Sequence, residues 1–321
     1  MSMEKFAILT SGGDAPGMNS VIRAVTRKGL YHGLEVLGVL RGYQGLINGD
    51  FLPMQLTSVG GIINQGGTIL KTARSEAFKT EEGFSAALRQ IEKNKLEAVI
   101  VIGGDGSMAG AQKLAQAGVS TIVIPGTIDN DMAGTEYTLG FDTALNSILD
   151  ATSKIRDTAA SHERVAIIEV MGRHSGQLAL AAGLAGGAEV ILLPEVPMPI
   201  EEVCFILRQG HQRGKQSSIV IVAEGAGKGY DVASQIAAQT GYSTHVTVLG
   251  YIQRGGSPTA TDNIIGSRMG GKAIDCILAN ELNCLIAWQK GDITTVPYAE
   301  AFATKRSIDT SQYELARILA L

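Results

Sequence analysis

The sequence predicts an α/β fold of two doubly wound lobes, each built on a largely parallel sheet, with the active site in the cleft between them. Three observations lead there. Short apolar runs alternate with longer helical segments along the whole chain. The 321 residues exceed one minimal core and suit two lobes of about 100–200 residues each. Glycine supplies 40 of those 321 residues, about 12% against a usual ~7%, and it clusters where the apolar runs end.

Taken in order, Phe6–Thr10 (FAILT) reads as a buried strand, followed by a glycine loop and a helix from about Met18 to Tyr31. Leu34–Leu40 is a second strand. A helix over Glu81–Lys93 leads to the strand EAVIVIGG, a helix from about Met108, and the strand Thr121–Pro125. Continuous apolar runs of this kind suit parallel strands covered on both faces. The rhythm resumes after Gly140 with a helix over Thr143–Ala160. Strands follow at RVAIIEV, EVILLP, SSIVIVAE and THVTVLG, with helices near Gln177–Ala185, Ile200–Arg213 and Val232–Thr240. A helix near Asn263–Leu278 and a strand near Asn283–Trp288 come late. The rhythm places a lobe boundary near residue 139.

Composition narrows the function. Hydrophobic residues at 45% and charged residues at 18% describe a chain able to bury a core. A net charge of −4 leaves no basic excess for a nucleic-acid backbone. Three cysteines, Cys204, Cys276 and Cys284, are an odd number without CxxC spacing, and read as buried thiols of a reducing cytosol. The opening MSMEKFAILTSGG turns polar too soon for a signal peptide, and the Gly/Ala-rich stretch near Leu178–Pro194 contains Glu189 and falls short of a membrane span.

Three clusters follow strands directly: Thr10–Ser20 (TSGGDAPGMNS), Gly103–Gly110 (GGDGSMAG) and Pro125–Asp131 (PGTIDND). The first two also open helices, where free backbone N–H groups make an anion site. None is a P-loop, because no Gly-Lys pair is followed by the Ser or Thr that would hold magnesium. Gly104-x-Gly106-xxx-Gly110 is a loose dinucleotide fingerprint, but Asp105 inside it would repel a pyrophosphate. A carboxylate among phosphate-binding amides makes sense where a cation bridges it to the phosphates. Asp129 and Asp131 stand two residues apart beyond a strand, so that one could accept a proton from a hydroxyl while the other orients it or a metal shell. Arg74, Arg164, Arg173 and Arg254 lie at strand ends or beside glycine turns, as phosphate clamps do.

The segments TSGGDAPGMN, GGT…AR, VIGGDGS, PGTIDND, GFDTA, MGRHSG and VLGYIQRGGSP resemble, in order, the signatures of bacterial ATP-dependent 6-phosphofructokinases. The match runs from about residue 5 to the C-terminal helix. The resemblance implies phosphorylation of fructose 6-phosphate at its 1-hydroxyl, with ATP as donor and Mg²⁺ as cofactor, in a cytoplasmic homotetramer whose sites are shared between subunits. It implies an ATP-binding lobe of residues 1–138 plus about 251–301, and a fructose 6-phosphate-binding lobe of 139–250 plus about 302–321. Gly13, Tyr43, Arg74, Ser75, Gly104, Gly106, Ser107 and Gly110 would line the ATP site, and Asp105 would engage Mg²⁺. Asp129 would be the base, with Thr127 and Asp131 beside it, and Arg74 and Arg173 would neutralise the transferring group. Met171, Gly172, Glu224 and Arg254 would hold the sugar phosphate, Arg164 would reach the substrate of a neighbouring subunit, and His245 and Tyr251 stand where many relatives have Arg and His.

Two further expectations follow from the resemblance. Pyrophosphate-using relatives carry Asp in place of Gly106 and Lys in place of Gly126. Both are Gly here, which implies ATP. Arg23, Arg27, Arg156, Gly187, Glu189, Arg213 and Lys215 match an effector site for ADP or phosphoenolpyruvate. Leu56, Gly61 and Gln216 replace charged residues of regulated relatives, implying weak regulation. Other readings of the same motifs are a GGDGS-type kinase acting on another hydroxyl, against which MGRHSG and QRGGSP speak, and a catalytically silent sensor, against which Asp105 and Asp129 speak.

Overall fold

The computed structural model describes residues 3–303 and 306–320. Its strands are β1 (Lys5–Thr10), β2 (Glu35–Val39), β3 (Phe51–Pro53), β4 (Ala98–Gly103), β5 (Ser120–Pro125), β6 (Val165–Val170), β7 (Val190–Leu192), β8 (Ser218–Ala223), β9 (Thr244–Val248), β10 (Cys284–Gln289) and β11 (Asp292–Pro297). Its helices are α1 (Met18–Tyr31), α2 (Gly42–Asn48), α3 (Glu81–Lys93), α4 (Asp105–Gln116), α5 (Phe141–Ser161), α6 (Gln177–Gly186), α7 (Ile200–Gln212), α8 (Gly229–Thr240), α9 (Ala260–Ala279), α10 (Tyr298–Ala303) and α11 (Thr310–Leu319). The chain divides into two compact units. One comprises Met1–Thr127, Met132–Thr143 and Arg254–Arg306; the other comprises Ile128–Asp131, Ala144–Gln253 and Ser307–Leu321.

The first unit holds a seven-stranded sheet in the order β11-β10-β5-β4-β1-β2-β3. Its five central strands run parallel, in register through pairs such as Ile8↔Ile100 and Ile100↔Ile122. Ala98–Ile102 is wholly buried, as a central parallel strand covered on both faces requires. β2 and β10 each gain an antiparallel edge partner, β3 and β11, that the apolar rhythm does not anticipate. Strand order reverses between β1 and β4, so their carboxyl ends flank a topological switch point, the place where open α/β sheets bind ligands. The second unit holds the all-parallel sheet β7-β8-β6-β9, which packs Ile167, Val220 and Val222 against Val203, Leu207 and Ile236 of its helices.

Helix starts differ from the sequence expectation in one instructive way. α4 begins at Asp105, not near Met108, because the amides of Ser107 and Met108 already bond to Gly104 O at 2.9 and 3.0 Å. The low helix propensity of glycine hides this turn from a periodicity reading. α8 and α9 likewise start three residues early, α9 because Thr259 caps it by accepting from Asp262 N.

Asp262 is the polar pivot of the first unit. It is fully buried, and its carboxylate accepts from Gly140 N (2.8 Å), Thr143 N (2.9 Å), Thr143 Oγ1 and Tyr137 Oη (2.8 Å). Desolvation pushes its pKa up, while these donors oppose the shift. Removing the carboxylate strands several buried donors at once. Asp262→Ala should therefore lower unfolding stability by roughly 3–5 kcal/mol, and Asp262→Asn by less, measured by chemical denaturation.

Candidate active site

In the first unit, the loops after β1, β4 and β5 are drawn together by backbone contacts that tolerate no side chain. Ser11 N donates to Ile102 O at 2.9 Å and Gly126 N to Gly103 O at 3.0 Å. A Cβ on Gly103 would lie 2.4 Å from Ser107 Oγ and 2.5 Å from Ser11 O, so only glycine fits. Thr10 Oγ1 donates to Lys71 O and Thr72 Oγ1 to Gly12 O, both at 2.8 Å, which ties the stretch leading to Arg74 and Ser75 onto the first loop. Arg74 itself is exposed, and Ser75 donates to Gln44 Oε1 at 2.9 Å.

Tyr43 supports this cluster from below. Its buried ring stacks on Phe78 with centroids 4.2 Å apart, and its hydroxyl donates to Ser107 O at 2.6 Å. Burial pushes its pKa well above the ordinary value, so it stays a donor at any physiological pH. A Cβ on Gly110 would stand 2.7 Å from that ring, so Gly110 is the space Tyr43 needs. Gly106 is different, for a Cβ there meets nothing within 4 Å. Gly126 is tight, with Ile102 Cγ2 at 3.0 Å and Met18 Cε at 3.1 Å from its would-be Cβ. Asp105 opens α4 at the surface, where local desolvation still pushes its carboxyl up. Arg254 lies against the first loop: its Nη1 donates to Asp14 O at 3.2 Å and would collide with any Cβ on Gly13. Thr138 Oγ1 holds Thr127 O at 2.6 Å.

In the second unit, the strand ends of β6 and β8 surround a buried carboxylate. Asp129 is 2% exposed, and its Oδ2 lies 3.7 Å from Arg173 Nε. Arg173 adopts a left-handed backbone at φ 52°, after Gly172 at φ 139°. Three bonds hold this strained loop. Arg173 N donates to Glu224 Oε1 (2.7 Å), Met171 N donates to the buried Gln253 Oε1 (3.2 Å), and Ser175 N donates to Gly172 O (2.8 Å). Ser175 Oγ in turn donates to Asp129 O at 3.2 Å. Asp131 is half-buried, and Arg164 sits half-buried before β6. His245 and Tyr251 are exposed, Tyr251 strongly so.

Sequence reasoning overlooked the residues that hold others in place. Gln253 and Ser175 sit inside motifs already singled out, yet neither carries a charge that marks it. Asp262 looks like an ordinary first-turn acid until its burial is seen.

The residues matched to an effector site are partly engaged. Arg156 Nη2 donates to Gly186 O (2.6 Å) and Gly187 O (2.9 Å), and Lys215 Nζ pairs with Glu189 Oε1 at 3.0 Å. Arg213 is exposed in that unit; in the other, Arg27 is exposed and Arg23 half-buried on α1. Among the described residues, no helix is long and apolar enough to cross a membrane.

The chain is similar to several known proteins. The curated ATP-dependent 6-phosphofructokinases of Halalkalibacterium halodurans and Brevibacillus brevis are 51% and 53% identical over 319 residues, 99% of this chain and all of theirs. The structure of phosphofructokinase from Saccharomyces cerevisiae superposes with a TM-score of 0.88 at 34% identity. It covers 99% of this chain, while this chain spans 48% of the yeast one. A pyrophosphate-dependent phosphofructokinase from Marinobacter aquaeolei shares the fold, with a TM-score of 0.86 at 22% identity over 96% of this chain and 86% of its own. The phosphofructokinase family profile matches residues 5–277, and the chain belongs to that family.

Proposed function

We propose that this chain is an ATP-dependent 6-phosphofructokinase of glycolysis: it transfers the γ-phosphoryl group of ATP to the 1-hydroxyl of fructose 6-phosphate, giving fructose 1,6-bisphosphate and ADP. The observation that carries this reading is Asp129, a buried carboxylate at the end of a glycine-rich loop with an arginine 3.7 Å away. Asp129 takes the proton of the sugar hydroxyl, whose oxygen then attacks the γ-phosphorus as the bond to the β-phosphate oxygen breaks. Thr127 and Asp131 flank the base. Arg173 and Arg74 stabilise the charge on the transferring group.

The amides of Gly13, Gly104 and Gly106 cradle the phosphates beside the helix starts, with Ser107, Gly110 and Ser75 completing the nucleotide site. Tyr43 acts by fixing Ser107 through its carbonyl. Asp105 suits a hard cation, because its oxygens are exposed at the helix start and its raised pKa reports a carboxylate that a positive charge would relieve. Mg²⁺ held by Asp105 would neutralise charge on the β- and γ-phosphates. Met171, Gly172 and Glu224 grip the sugar phosphate. Arg254 is assigned to the same phosphate, and Arg164, His245 and Tyr251 to the shared sites of a cytoplasmic homotetramer. The donor is ATP, since residues 106 and 126 are both Gly and the open space at Gly106 is not filled by a side chain that would repel the α-phosphate. Regulation by ADP or phosphoenolpyruvate through Arg23, Arg27, Arg156, Gly187, Glu189, Arg213 and Lys215 is weak, because Arg156 and Lys215 already spend hydrogen bonds within the protein.

Asp129→Ser should lower kcat for fructose 6-phosphate-dependent ADP release by roughly 10²–10⁴-fold, with ATP and sugar phosphate still binding in equilibrium titrations. Retained turnover would remove the assigned base. Gly106→Asp should depress kcat/KM for ATP by about 100-fold or more, the equivalent of ~2.7 kcal/mol, with the melting temperature nearly unchanged because a Cβ meets open space there. ADP and phosphoenolpyruvate titrated against the fructose 6-phosphate saturation curve should leave it nearly hyperbolic, with small shifts in half-saturation. A steep sigmoid abolished by ADP would contradict weak regulation.

A further inference from the structure

Residues 60–76 run between β3 and α3 without a strand or α-helix of their own. Their backbone therefore needs partners from elsewhere. Side chains supply them at intervals. Buried Asn19 of α1 donates through Nδ2 to Gln65 O at 3.0 Å and accepts from Ile69 N at 2.9 Å. Thr10, the last residue of β1, donates to Lys71 O at 2.8 Å. Thr72 Oγ1 donates to Gly12 O at 2.8 Å. Ser75 Oγ donates to Gln44 Oε1 at 2.9 Å and accepts from Phe78 N at 3.2 Å. Arg74 thus stands between two hydroxyl pins, at residues 72 and 75. It is exposed and, among the described residues, its guanidinium makes no hydrogen bond or ion pair. The backbone beneath it, and no partner of its own, sets where that guanidinium can reach.

We infer that Thr72 is a positioning residue for phosphoryl transfer: its hydroxyl, bonded to Gly12 O, fixes the backbone that carries Arg74 to the transferring group. The inference rests on the kinase reading above, in which Arg74 stabilises charge on that group. Thr72 touches no substrate and acts through Arg74. The acceptor it uses matters. Gly12 adjoins Gly13, whose amide is assigned to the phosphates, so the bond sets the position of Arg74 relative to the loop that holds the nucleotide. Ser75 is the weaker pin, because it ends on a side chain where Thr72 ends on backbone.

The effect falls on the chemical step. A cation needed in one place at the moment of transfer loses more from a wandering backbone than one that only helps to bind. Folding loses little. One neutral hydrogen bond has a small net effect on stability, and Asn19 and Thr10 keep the segment docked without it.

The test uses the full chain carrying Thr72→Val, which keeps the branched shape without the hydroxyl, or Thr72→Ser, which keeps the hydroxyl. Each is made with Arg74 intact and with Arg74→Ala. Thr72→Val should lower kcat for fructose 6-phosphate-dependent ADP release by roughly 10-fold. It should leave KM for ATP, and the dissociation constant of a non-hydrolysable ATP analogue, within about 2-fold of the parent. Thr72→Ser should restore most of the lost kcat. In the Arg74→Ala protein, Thr72→Val should change kcat by less than about 2-fold. Thr72→Ala should match Thr72→Val, and replaces it if the melting temperature shows that valine disturbs folding. Equal losses with and without Arg74, a serine variant as slow as the valine one, or weakened analogue binding that accounts for the whole loss would overturn the assignment. An inert parent protein would strike the kinase reading instead, and an Arg74→Ala protein with parental kcat would strike the role of Arg74; either takes this inference with it.

Discussion

The architecture of the first unit depends on close backbone approach at Gly103. A single methyl group there would strike both Ser11 O and Ser107 Oγ, and the loops after β1 and β4 could no longer lie side by side. The same contact lets Ser11 N reach Ile102 O and Gly126 N reach Gly103 O, so the loops after β1, β4 and β5 lie together. The switch in strand order between β1 and β4 creates the opportunity, and the missing Cβ atoms make it usable.

The second unit solves a different problem, which is to keep a carboxylate buried beside a positive charge. Asp129 is held through its backbone carbonyl by Ser175, and its carboxylate lies 3.7 Å from Arg173 Nε. Arg173 supplies positive charge nearby from a loop whose backbone N–H groups are held by the side chains of Glu224 and Gln253.

Much of this was legible in the chain itself. Strands such as Ala98–Gly103 announce themselves because burial on both faces demands an unbroken apolar run. The glycine clusters mark the loops after β1, β4 and β5, where close backbone approach leaves no space for a side chain at Gly103. Edge strands β3 and β11 were not legible, since a half-exposed strand pairs through its backbone and needs no apolar signature. The true start of α4 was hidden for a similar reason: Gly104 and Gly106 lower helix propensity at the very place where backbone hydrogen bonds hold the turn. Asp262, Gln253 and Ser175 stayed invisible because their importance comes from distant partners, and short-range spacing carries no record of those.

The left-handed backbone at Arg173 has a consequence for laboratory evolution. An L-residue in that region carries strain that glycine would not feel. A selection that rewards heat resistance alone would drift toward glycine at 173 and discard the guanidinium with the strain. Thermostabilised descendants of this chain should be sequenced at that codon, because glycine there also removes the charge beside Asp129.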